Sequence, residues 1–97
     1  MEAIEIVAFQ AGSDIETLKA ARARALDAVR TTCPGFIDAR LYEGEGQGNW
    51  IDVVRWASLA EAKAAAEVSA TLPGTQEFFS FITAPPSMMH GTLVEGP

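Results

Sequence analysis

The chain has 97 residues, nearly half of them hydrophobic, which suits one globular domain over residues 1–97 and excludes a disordered segment. Its net charge is −6 and its seven basic residues are scattered, apart from "RAR" at 22–24, so the clustered cations that nucleic acid requires are missing. No apolar run approaches the roughly 20 residues of a membrane span, and the acidic start "MEAIEIV" is unlike a basic secretory signal, so a soluble cytoplasmic protein with no membrane partner is expected.

"AIEIVAF" (3–9) alternates and is rich in β-formers, which predicts a first strand. "AGSDIETLKAARARALDAVR" follows with the pattern of a capped helix: Ser13 is expected to cap it and Glu16, three residues on, to reach back. Ile15, Leu18, Ala21 or Arg22, Ala25 and Val29 form its stripe. "CPG" at 33–35 stops it. The one cysteine, Cys33, has no partner for an internal disulfide and reads as a buried loop thiol rather than a nucleophile.

"FIDARLY" (36–42) predicts a second strand and "WIDVVRW" (50–56) a third, joined by "EGEGQGN". That glycine-rich link lacks both the Lys-Ser/Thr and the following helix of a phosphate-binding loop, and reads as a hairpin connection. Ser58 and Glu61 form a second capping box before the alanine-rich helix "LAEAKAAAEVSATL", which "PG" at 73–74 ends. "TQEFFSFI" (75–82) predicts a short helix docked by its phenylalanines. "PP" at 85–86 precedes a last strand, "SMMHGTLVE" (87–95).

"IEIVAF" (4–9) matches "IDVVRW" (51–56) position by position, and each precedes a capping box. Two similar β-α units joined by a hairpin predict the α+β class: a ferredoxin-like βαββαβ fold with a four-stranded antiparallel sheet. Within it, strands one and three are expected side by side at the centre and parallel, with strand two beside three and strand four beside one.

Alternation then sorts the side chains. The echo superimposes Glu5 on Asp52 and Phe9 on Trp56. Placing Tyr42 opposite Trp50 sets Arg40 opposite Asp52 and Phe36 opposite Trp56; a one-residue slip would turn these side chains over. His90 is in phase with Met88 and Thr92, and it is assigned to the same face. The expected site is thus a polar row of His90, Glu5, Asp52 and Arg40, walled by Tyr42, Trp50, Phe9 and Trp56. The opposite phase is almost wholly apolar: Ile4, Ile6, Ala8, Ile37, Ala39, Leu41, Ile51, Val53, Met89 and Leu93. Helices can cover only one face, so a second copy of the chain is expected over the other.

Each residue also has a plain structural reading: an ordinary cross-strand ion pair for Arg40 and Asp52, core packing for the tryptophans, a hydrogen-bonded buried histidine. As a set they suit chemistry. Paired acids in an apolar site separate in pKa and leave one able to take a proton, His90 is a second candidate base, and Arg40 could hold an anion. The alanines of both helices allow close approach, or alternatively leave a cavity roofed by "EFFSFI".

The element order, "PGF" before strand two, the "RWAS" exit from strand three and the "MMHG" strand together resemble the antibiotic biosynthesis monooxygenase-like family across nearly the whole chain. The resemblance implies a homodimeric α+β barrel with a pocket for a small hydrophobic or aromatic ligand between sheet and helices. It further implies oxygenation of an activated phenol or anthrone with no metal or other cofactor. The protein deprotonates the substrate and the carbanion reduces dioxygen. Asp52 or His90 would be the base, Arg40 the anion partner, and Trp50, Trp56 and Tyr42 the walls, with Glu5 and Phe9 beside them. A haem-degrading branch also ends strand three with a tryptophan, as Trp56 does here. That branch needs a haem-ligating histidine on the next helix and an asparagine in strand one, and this chain has neither. Two other readings stand beside the oxygenase: a non-catalytic dimer that binds a small molecule or serves in stress, and an isomerase or lyase acting on a small acid.

Overall fold

The computed structural model describes residues 1–97. Seven elements follow in the order β1 (Ala3–Gln10), α1 (Ile15–Thr32), β2 (Phe36–Glu43), β3 (Asn49–Trp56), α2 (Leu59–Ser69), α3 (Pro73–Phe79) and β4 (Ser87–Thr92). The four strands form one antiparallel sheet in the order β2-β3-β1-β4, a ferredoxin-like α+β arrangement. β1 and β3 are neighbours as expected, but they run antiparallel, which corrects the parallel assignment. The α1 crossover returns β2 in the direction of β1, and the tight hairpin reverses β3 between them.

The α1 cap sits one residue later than Ser13. Asp14 accepts from the Thr17 amide at 2.9 Å and from its hydroxyl at 2.8 Å, which draws the Asp14 carboxyl below its ordinary pKa. The second box is as expected: the Ser58 hydroxyl accepts from the Glu61 amide at 3.1 Å and donates to the Glu61 carboxylate at 3.0 Å. α3 begins at Pro73, where a missing amide costs nothing because first-turn amides have no helical partner.

The larger correction lies in β2. Phe36 stands opposite Trp56, but the register then shifts by one between Phe36 and Asp38. Beyond this bulge at Ile37, Arg40 pairs with Val53, Leu41 with Asp52 and Tyr42 with Ile51. Arg40 therefore does not face Asp52, nor Tyr42 face Trp50. An unpaired extra residue reverses the facing of every later side chain on its strand. Ala39 and Leu41 accordingly point to the helices, where they pack against the core.

Helices α1, α2 and α3 cover the face bearing Glu5, Phe9, Trp50, Asp52, Val54 and Trp56. One buried cluster joins Phe9, Leu18, Ala21, Ala25, Trp50 and Phe78, with Phe9 and Phe78 edge-to-face at 5.5 Å. A second joins Cys33, Val54, Trp56, Ala62 and Ala65, with Phe36 edge-to-face on Trp56 at 5.7 Å. The other face, carrying Ile4, Ile6, Ile51, Val53 and Met89, has no helix over it, and Ile51, Tyr42 and Met89 stand exposed on it. No helix is long and apolar enough to cross a membrane.

Candidate active site between sheet and helices

A cavity of about 680 Å³ separates the sheet from the helices, within the range of small-ligand pockets. Its helical wall includes four alanines, Ala25 from α1, and Ala65 and Ala66 from α2 with Ala70 just beyond it, beside Leu26 and Val29 of α1. These methyl groups are too short to fill the layer. Phe78, Phe79 and Ile82 from the "EFFSFI" segment close one side, and Phe9, Val54 and Trp56 rise from the sheet.

Only three charged side chains line this apolar space: Glu5, Asp52 and Arg22. Asp52 is 7% exposed, and its two carboxylate oxygens accept from the Nε and Nη2 of Arg22, each at 2.9 Å. This is a bidentate pair with both side chains largely out of solvent, and the two parallel contacts fix the guanidinium in direction. The cation beside Asp52 thus comes from helix α1 and not from Arg40, which is exposed on the uncovered face.

Glu5 lies diagonal to Asp52, since Val7 is directly opposite Asp52 and Glu5 opposite Val54. On its other side Glu5 stands directly opposite His90, whose Nε2 lies 3.0 Å from the Glu5 Oε2. Burial pushes the Glu5 carboxyl above its ordinary pKa; His90 pulls it down by less, and the charge of Asp52 adds to the rise. Glu5 is therefore a carboxyl at the cavity wall that holds its proton more tightly than an exposed glutamate does.

Among the residues expected to form the site, Glu5, Asp52, Phe9 and Trp56 line the cavity, and His90 is tied to it through Glu5. Trp50 is buried in the first cluster, outside the cavity wall. Tyr42 lies on the uncovered face, 48% exposed. Arg22 is the residue the strand pattern conceals; its one signal is an arginine interrupting the apolar stripe of α1. Cys33 is buried, and that burial raises its thiol pKa, which suits packing. No trio of histidine, cysteine and carboxylate side chains converges closely enough to hold a metal ion.

No family model matches the sequence, and no curated protein does. Solved structures match over nearly the full length. SnoaB from Streptomyces nogalater, a cofactor-independent oxygenase, superimposes with a TM-score of 0.76 at 16% identity, covering 98% of this chain and 95% of that one. A candidate antibiotic biosynthesis monooxygenase from Bordetella bronchiseptica gives 0.72 at 18% identity, over 97% and 98% of the two chains. One from Nitrosomonas europaea gives 0.69 at 12%, over 96% and 99%. The chain thus has the fold of the antibiotic biosynthesis monooxygenase structures, a monooxygenase-like fold, as its motifs suggested.

Proposed function

We propose that the chain is a monooxygenase that works without a bound cofactor on a small aromatic compound carrying an acidic C–H or O–H. The observation that carries this reading is the largely buried Glu5 carboxyl, raised in pKa by that burial and lining a mostly apolar cavity. A carboxylate there can accept a proton that water would otherwise hold, and the dry walls protect the resulting carbanion from reprotonation. For an activated ring CH₂, the proton goes to Glu5 and the carbanion passes an electron to dioxygen. Recombination forms a C–O bond as a hydroperoxide, and loss of water leaves a carbonyl. One oxygen atom stays in the product, the other leaves as water, and the substrate supplies all the electrons.

Glu5 takes the role of base that the family resemblance implied for Asp52 or His90. His90 orients and tunes Glu5, and Asp52 holds Arg22. The apolar face around Ile6, Ile51, Val53 and Met89 supports association of two copies through their sheets, since an uncovered face of this kind is costly in water. SnoaB's description as a cofactor-independent oxygenase supports the reaction class.

The test is dioxygen uptake with an electron-rich hydroxyanthrone. One O₂ should be consumed per substrate, and Glu5→Gln should lower the rate by about 100-fold or more. Undiminished uptake by Glu5→Gln removes the base from this account. Ligand-induced stabilisation with no turnover would make the protein a binding module, and turnover under nitrogen would make it an isomerase or lyase.

A further inference from the structure

Met88 brings the one sulfur atom to the cavity wall. It is in phase with His90 on β4 and pairs with Val7, itself a lining residue, so its side chain lies on the helix side of the sheet. Met88 is nonetheless 50% exposed, on an edge strand. The thioether thus stands at a mouth of the cavity, reachable both from within and from solvent.

We propose that Met88 is an oxygen-accepting modification site of this cavity: an organic hydroperoxide held between sheet and helices passes its terminal oxygen to the Met88 sulfur, leaving an alcohol and a methionine sulfoxide. This deepens the proposed reaction and rests on it, since there a ring hydroperoxide forms in the same space and either loses water or meets this thioether. A sulfur lone pair attacks the distal peroxide oxygen. The S–O bond forms, the O–O bond breaks, and its electron pair leaves on the proximal oxygen. The hydroxyl proton passes to that oxygen through solvent, which reaches this half-exposed side chain. Sulfur is oxidised by two electrons and the hydroperoxide is reduced by two, so no further oxidant is needed.

The other sulfur atoms are placed differently. Cys33 is buried in the second cluster and does not line the cavity. Met89 pairs with Ile6 on the uncovered face, and Met1 is the first residue; neither lines the cavity. They are 63% and 82% exposed, both more than Met88. An oxidant that stays in solution therefore reaches Met1 before Met88, since susceptibility follows exposure. A hydroperoxide that binds the cavity inverts that order, because it is held beside Met88 at high effective concentration. The lining residues that lead into β4, Thr83 to Pro86, carry no charge, which suits the organic part of such a molecule.

The experiment treats the protein, without substrate, with cumene hydroperoxide or with hydrogen peroxide. Peptide mass spectrometry follows sulfoxide at each methionine, with fragment ions separating Met88 from Met89. Cumene hydroperoxide should oxidise Met88 at least about tenfold faster than Met1, with a Met88 rate that saturates as its concentration rises. Hydrogen peroxide should oxidise Met88 no faster than Met1. Ala66→Leu, which narrows the cavity, should cancel the Met88 advantage under cumene hydroperoxide; circular dichroism checks that it folds, and excess cumyl alcohol, the reduced product, should do the same in wild type. Four results overturn the inference: Met88 oxidised no faster than Met1 by cumene hydroperoxide, a Met88 rate that rises without saturation, an advantage that hydrogen peroxide shares, or one that persists in folded Ala66→Leu. Selective, saturable oxidation of Met88 in a protein that takes up no dioxygen with a hydroxyanthrone sinks the oxygenase reading alone. Dioxygen uptake without selective Met88 oxidation sinks this inference alone.

Discussion

The Glu5 carboxylate and the His90 imidazole meet at 3.0 Å across directly opposed positions of β1 and β4, with side chains only 12% and 18% exposed. Burial raises the Glu5 pKa above its ordinary value of 4.5, so the folded state binds this proton more tightly than the unfolded chain does. The stability this supplies is fully present below 4.5 and is lost as pH rises through the folded value. Denaturant titrations of wild type and Glu5→Gln across that range should therefore diverge, with wild type losing stability relative to the variant as pH rises. His90→Ala removes the group that lowers the Glu5 pKa, so the acid limb of the rate profile should move to higher pH. An unmoved limb would show that His90 does not tune Glu5.

The bidentate Arg22–Asp52 pair predicts strong coupling in a double-mutant cycle. Arg22→Met leaves the Asp52 carboxylate buried and unpaired, and should cost about 3–5 kcal/mol of unfolding free energy. Adding Asp52→Leu should return most of that loss, because two apolar groups replace the pair. Urea unfolding checks both; additive losses would mean that water already solvates the pair.

Ala66 on α2 faces the cavity. Ala66→Leu places an isobutyl group into that space and should raise unfolding stability by about 0.5–2 kcal/mol. The same change should abolish binding of a fused-ring ligand. Stability and ligand affinity moving in opposite directions would mark the cavity as kept open at a cost; unchanged affinity would place the ligand elsewhere.

Ile6 lies at the centre of the uncovered face, opposite Val53 on one side and Met89 on the other. Ile6→Arg should halve the mass measured by light scattering if two copies meet through their sheets, and lower the melting temperature with it. A wild-type protein already monomeric at micromolar concentration would refute the sheet-to-sheet dimer.

Much of this fold is legible in the sequence because periodicity and capping agree. β1 and β3 alternate cleanly, the Ser58–Glu61 box is where its spacing puts it, and the phenylalanines after Pro73 dock as a short helix. The shared face of Glu5, Asp52 and His90 is legible for the same reason: each strand's own alternation sets its facing, whichever way the neighbour runs. Two features were not. The bulge at Ile37 is a backbone event with no proline or glycine at that position, so a regular register that is right at Phe36 and Trp56 is off by one at Arg40, Leu41 and Tyr42. The Arg22–Asp52 contact joins residues 30 positions apart, on a helix and a strand, and depends on how α1 is rotated over the sheet. Helical periodicity assigns Arg22 to the edge of a stripe without revealing what lies beneath it.

The extra residue in β2 gives this edge strand a divided allegiance: Phe36 on one side of the irregularity and Ala39 and Leu41 on the other serve the interior, while Asp38, Arg40 and Tyr42 dress the outer surface. Deleting Ile37 would remove the irregularity and leave those assignments in place, because the pairs on either side of it, Phe36 with Trp56 and Asp38 with Arg55, are already consecutive along β3. On this scaffold the extra residue thus lengthens the edge strand by one position without changing which of its side chains serve the interior.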